Sequence, residues 1–187
     1  MASVPEDQFS PREYSGACVQ WRWARAHSQV DITGEGGALA TMKRSIYHRS
    51  AVCGEVLQAE GEAYAEFTRV SGNGVLVGVA RAGVDPSSVR DGFRSTADGW
   101  MYRCVGGYHY HNDSATPWAS GTQQGIAEGE TVGLLLRRGS LSVHIGGRQV
   151  GVMCTGLSGA LVWAADLSDG GGDGGSGVRI ARKPLPF

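Results

Sequence analysis

The chain has no charge excess of either sign, no paired-cysteine motif, no long apolar run and no helical apolar period, and each absence removes a class of function. Seventeen Lys and Arg stand against eighteen Asp and Glu, a net charge of −1. A nucleic-acid groove needs a clustered basic excess; Arg137-Arg138 and the stretch from Arg179 to Lys183 are too short to make one, so no nucleic-acid partner is expected. Cys18, Cys53, Cys104 and Cys154 form no CxxC pair. In a secreted protein four cysteines would allow three pairings, but the stretch Met1 to Asp7 is acidic and has no apolar h-region. Reduced thiols in a cytoplasmic or other intracellular compartment are the expectation. Nothing approaches the ~18 apolar residues needed to span a bilayer, so no membrane partner is expected either.

Catalytic signatures are also missing. Ser158 lies in Gly156-Leu157-Ser158-Gly159 rather than in G-x-S-x-G, and no carboxylates pair at an active-site spacing. His109-Tyr110-His111 could put two imidazoles on one side of a strand, yet a zinc site needs a third protein ligand and usually a fourth. Gly170, Gly172 and Gly175 satisfy G-x-G-x-x-G formally, but no strand-turn-helix surrounds them, and they read as a glycine loop from Gly170 to Gly177. Asn112-Asp113-Ser114 is a glycosylation sequon without a secretory signal. No enzyme, metal or small-molecule cofactor is expected.

What the chain does have is glycine. Its 30 glycines are about twice the usual share, with charged residues reduced to 19%. That combination suits many tight turns and disfavours long helices, where each interior glycine costs about 1 kcal/mol relative to alanine. Val30 to Ile32 and Ala38 to Met42 read as a hairpin across Gly34 to Gly37. From Glu62 to Thr68 the alternation is strict, with Ala63, Ala65 and Phe67 on one face, as in a half-buried strand. Val75 to Ala80 is apolar throughout, as in a strand covered on both faces, and Ser71 to Gly74 suggests a tight antiparallel hairpin between the two. Residues 81–98 read as a mostly polar connection, Trp100 to Val105 as a short strand, and Gly106 to Glu128 as a long loop rich in aromatic and polar residues. Thr131 to Leu136, Ser140 to Ile145 and Arg148 to Met153 form consecutive hairpins, the second through Gly146-Gly147. Leu161 to Ala165 and a short Val178 to Ile180 complete an all-β pattern.

The order of these pieces resembles the SPRY domain family. Gly61-Glu62-Ala63-Tyr64-Ala65-Glu66-Phe67 is similar to its G-x-x-Y-W-E-V opening, and Val77-Gly78-Val79-Ala80 to its V-G-V-A strand. Gly99-Trp100, Gly129 to Gly133, Gly139 to Val143 and the segment from Gly151 through Leu167 come next, in the family's order. Ala65 stands where Trp is usual, Leu136-Arg137 where Leu-Asp is common, Gly146 where the turn has Asn, and Trp163 where it has Pro, so the resemblance is to a divergent member. It implies a two-sheet antiparallel β-sandwich of concanavalin-like jelly-roll type, with family motifs over 61–180 in one domain of 17–182, an arm over 1–16 and a tail over 183–187.

The resemblance also implies a non-catalytic module that binds a partner protein or short peptide through loops at one rim. The residues expected there are Arg81, Tyr102, Tyr108, Tyr110, His111, Trp118 and Asp169. Five aromatic residues crowd into 100–118, and loop Tyr and Trp offer large contact area at low entropy cost. Two other roles fit the same sandwich: a structural docking subunit of a large assembly, and a lectin-like binder. The second of these would need an Asp- and Asn-rich calcium loop or a sugar-stacking groove.

Overall fold

A computed structural model of the chain describes residues 20–42, 45–118, 124–169 and 175–186. In chain order its strands are β1 (Trp23–Ala26), β2 (Asp31–Thr33), β3 (Leu39–Met42), β4 (Arg49–Cys53), β5 (Leu57–Gln58), β6 (Glu62–Ser71) and β7 (Gly74–Arg81). After these come β8 (Gly99–Arg103), β9 (His109–His111), β10 (Ser114–Thr116), β11 (Thr131–Arg137), β12 (Ser140–Ile145), β13 (Arg148–Cys154), β14 (Ala160–Ser168) and β15 (Ser176–Arg182). Among the described residues they make two antiparallel sheets. The first runs β1-β4-β14-β7-β8-β9-β10, with β5 paired to the start of β14; the second runs β13-β12-β11-β6-β15-β3-β2. The expected two-sheet sandwich is therefore present.

The sheets close on one apolar layer. From the first come Val75, Val77, Val79, Tyr102 and Trp163, and from the second Ala65, Phe67, Leu134, Leu136 and Val143. Trp163 stands edge-on to Phe67, with ring centroids 5.9 Å apart, and Trp21 stands edge-on to Trp163 at 6.2 Å. Burying side chains of this size contributes about 1.5–3 kcal/mol each, which is what holds the layers together. A second apolar layer lies on the outer face of the first sheet, where Phe93 and Val89 from the 82–98 connection cover Leu76, Ala80, Met101, Val162 and Ala164. That is why β7 and β14 are apolar on both faces. Cys53, Cys104 and Cys154 are free thiols, and Cys18 lies outside the described residues. Burial pushes the Cys104 and Cys154 thiols up to about 12 and Cys53 higher still, so none is a ready nucleophile.

Three readings of the sequence need correction. β6 and β7 do not form a hairpin: β6 pairs β11 and β15, while β7 pairs β14 and β8, so residues 72–73 carry the chain from one sheet to the other. The 106–128 stretch contains a hairpin of its own, β9 with β10, turned by Asn112 and Asp113 at φ 49° and 61°. The sequon is thus a type I′-like turn. The last strand is not short: β15 spans Ser176–Arg182 and lies centrally between β6 and β3, so the expected glycine loop ends before Ser176 and residues 170–174 lie outside the described ones. The connection after β7 is mostly polar as expected, with Phe93 anchoring it on the sheet. The Val30–Met42 hairpin and the β11-β12-β13 meander agree with the sequence reading. The expected arm, residues 1–16, falls outside the described residues.

Candidate functional site

The seven residues expected at one rim do not share one. Across the β7/β14 pair Arg81 faces Leu161, whereas Gly74 faces Ser168, next to Asp169. Arg81 and Asp169 thus sit at opposite ends of a strand pair about 23 Å long. Arg81 is already occupied: its guanidinium donates to the Ser158 carbonyl and lies 5.2 Å over the Trp100 ring. His111 also stacks on Trp100, 4.9 Å away and nearly parallel to it, with Nδ1 at 2.8 Å from the Gly99 carbonyl oxygen. Tyr102 is fully buried, its hydroxyl donating to the Gln124 carbonyl, and Trp118 is 7% exposed between Tyr102 and His109. Strand alternation is the reason, since residues 100 and 102 point toward the core and 101 and 103 away from it. Neither Tyr102 nor Trp118 offers an anchor to a partner. Tyr108 is half-buried beside Gly106.

Tyr110 and Asp169 do meet. They line a groove of about 360 Å³ on the outer face of the first sheet, floored by Gly74 and Leu76 of β7 and bounded by Ile46, His48, Arg94, Arg103 and Ser168. The side chains at 101, 103 and 110 face outward here, opposite to Tyr102 and His109. Sequence reasoning missed Ile46, His48, Arg94 and Arg103. The one signal that could have found them was the pairing of outward positions on β7, β8 and β9, which requires the sheet order.

One wall is built on a buried carboxylate. Asp166 on β14 is fully buried and accepts from Ser50 Oγ (2.7 Å), the Phe93 amide (3.0 Å) and the Arg94 amide (2.9 Å). Burial pushes this carboxyl up, against the pull of these donors and of His48. Gly92, at φ 72°, lets the connection come this close, because a Cβ there would fall 2.6 Å from the carboxylate. The next layer holds Arg94 in place. Its guanidinium donates to Asp91, lies 3.6 Å from Asp113 and sits 5.7 Å over the Tyr110 ring, while its Nε donates to His48 Nδ1 at 3.1 Å.

His48 Nδ1 is within reach of both the Arg94 Nε–H and, at 3.4 Å, Asp91 Oδ1, while Nε2 lies 3.3 Å from Ser168 Oγ. Burial, with Arg94, holds His48 below the usual histidine range in spite of Asp166 and Asp91. Burial raises Asp91, but the His48 amide and Arg94 outweigh it and leave its carboxyl below the usual range. The groove is therefore preformed. Ile46 stands 78% exposed at its mouth, and the Arg103 side chain has no hydrogen-bond or ion-pair partner among the described residues. Among those residues no three His, Cys, Asp or Glu side chains gather as a metal site, and no helix is long and apolar enough to cross a membrane.

No family model and no curated protein sequence matches the chain. Solved structures do. The SPRY domain of human HERC1 superposes with a TM-score of 0.69 at 19% identity, over 87% of this chain and 99% of that one. The TRIM65 PSpry domain gives 0.65 at 13%, over 88% and 90%. The NEUZ (NHR) domain of Neuralized from Drosophila melanogaster gives 0.58 at 14%, over 90% and 95%. These likenesses establish the fold, a divergent form of the SPRY sandwich.

Proposed function

We propose that this SPRY-fold chain is a non-catalytic recognition module that holds a partner protein or short peptide in the groove between Ile46, Arg103 and Tyr110. The observation that carries the reading is Ile46. Single exposed aliphatic residues are common on protein surfaces, but this one stands at the mouth of a concavity whose wall carries the Arg103 guanidinium, without a partner among the described residues. An apolar contact combined with a planar donor fork is the chemistry that reads a peptide's side chain together with a carboxylate or carbonyl. The network from Asp166 through Arg94 to His48 supports the same reading, because a wall ordered in advance loses little entropy on binding.

The expected contacts at Arg81, Tyr102, Tyr108, His111 and Trp118 are replaced in this proposal by Ile46 and Arg103, with Tyr110 and Asp169 kept. The test uses the full chain as bait in an extract of its source cells, with affinity then measured on the recovered partner. Ile46→Asp and Arg103→Ala should each weaken binding by about thirtyfold, the scale of an interface anchor, and leave the melting temperature unchanged. Full affinity in both variants would place the interface elsewhere.

A further inference from the structure

The outer face of the second sheet carries a separate hollow of about 310 Å³, lined by Tyr64, Glu66, Glu130, Gly133, His144 and Gly146 among others. It exists because Gly133 has no side chain. Register puts Gly133 between Glu66 on β6 and His144 on β12, and a Cβ there would fall on the Tyr64 hydroxyl.

The chemistry inside is one-sided. Neither Glu66 nor Glu130 has an ion-pair partner among the described residues. The Tyr64 hydroxyl donates to Glu66 Oε1 at 3.4 Å, and the Ala127 amide donates to Glu130 Oε2 at 2.8 Å, so both carboxylates are oriented without being neutralised. Burial, then Glu66, pushes Tyr64 up to about 12, which keeps it a neutral donor.

His144 is 4% exposed and stands edge-on to Tyr64, ring centroids 6.1 Å apart. Its Nε2 lies 3.1 Å from Ser142 Oγ, and the Ser142 hydroxyl can pass its own hydrogen to the Leu135 carbonyl at 3.5 Å. With the Ser142 hydrogen so directed, the imidazole hydrogen stands on Nε2 and Nδ1 is left a bare acceptor. Nδ1 is buried and has no partner among the described residues. An unpaired buried acceptor is costly unless something else satisfies it. The adjoining Gly146-Gly147 turn has open space around both residues, so it is the side that can yield to an entering donor.

We propose that this hollow is a second docking point, which receives a lysine or arginine side chain of a partner protein. Two unneutralised carboxylates and an orphaned imidazole nitrogen call for a cationic donor. They are not grouped as a metal site, and the volume is at the lower end of the range for ligand pockets, enough for one long side chain.

The test is an NMR titration of the full chain with N-acetyl-arginine methylamide, with the neutral near-isostere N-acetyl-citrulline methylamide as control. The arginine probe should give saturable shifts at the Gly133, His144 and Gly146 amides and at His144 Nδ1, with citrulline at least about tenfold weaker. Glu66→Gln should weaken the arginine probe by about tenfold at unchanged melting temperature, and Glu130→Gln serves as a second variant. Ile46→Asp should bind the probe as the parent does, which separates this site from the groove on the other sheet. An absent or non-saturating shift, equal binding of citrulline, or unchanged affinity in both glutamine variants would overturn the proposal.

Discussion

Asp166 sits in a run of buried residues, Leu161 to Ser168, and it is there because three donors converge on it: Ser50 Oγ and the amides of Phe93 and Arg94. Asp166→Ala would leave those donors unpaired in an apolar layer, a loss of about 3 kcal/mol on urea unfolding. Trypsin should then cut at Arg90 and Arg94, because the connection is no longer tied down; a variant that resists trypsin and keeps its stability would show that Phe93 alone anchors the segment. Histidines supply a pH dependence. His27, His48, His109 and His144 are all held below the usual value, with burial the first cause in each. The unfolded chain therefore binds these protons before the folded one does. Their stabilising contribution is complete above about pH 6.5 and is lost as the pH falls toward the folded values. Raised Asp166 works in the opposite sense, so the contribution is read as a difference: the urea midpoint should fall less from about pH 7.5 to about pH 5.5 in His109→Gln than in the parent, and an equal fall would contradict the assignment.

At the scale of elements, spacing between strands depends on small residues where backbones approach. Gly78 on β7 is opposite Met101, and a Cβ there would strike the Trp100 carbonyl oxygen. A backbone atom cannot swing aside as a side chain can, so Gly78→Ala should cost about 3 kcal/mol, the upper end for overpacking, measured by urea unfolding. Near-parental stability would mean that β8 shifts freely against β7. The strict alternation of Glu62 to Thr68 identified β6 and its inner face in advance, since a half-buried strand must alternate. The same local signals misjudged the turn at the end of β6. Ser71 to Gly74 has the chemistry of a tight turn, but turn chemistry is the same for a hairpin within one sheet and for an arch between two; pairing partners elsewhere in the chain decide which one forms.

For the molecule as a whole, β15 is the element on which the second sheet depends, because it joins β6 to β3. A chain ending at Asp169 should lose its cooperative melting transition and much of its sheet signal in circular dichroism, since the β2-β3 hairpin would be cut off from β6 and the sheet would end on an unpaired edge. A cooperative transition in that truncation would show that the second sheet closes without β15. The residue order by itself determined the all-β class, the strand-bearing segments, the inner face of β6, the glycine hairpins of β11 to β13 and the resemblance to SPRY domains, because period, turn residues and motif order are local properties. It could not determine the candidate groove. Ile46, Leu76, Arg94, Arg103 and Tyr110 come together only once β7, β8 and β9 are adjacent and the connection is clamped on Asp166. Whether an aromatic residue near residue 100 serves the core or the surface was equally out of reach: Tyr102 went inward and Tyr110 outward because β8 and β9 meet in a register that long-range pairing alone imposes.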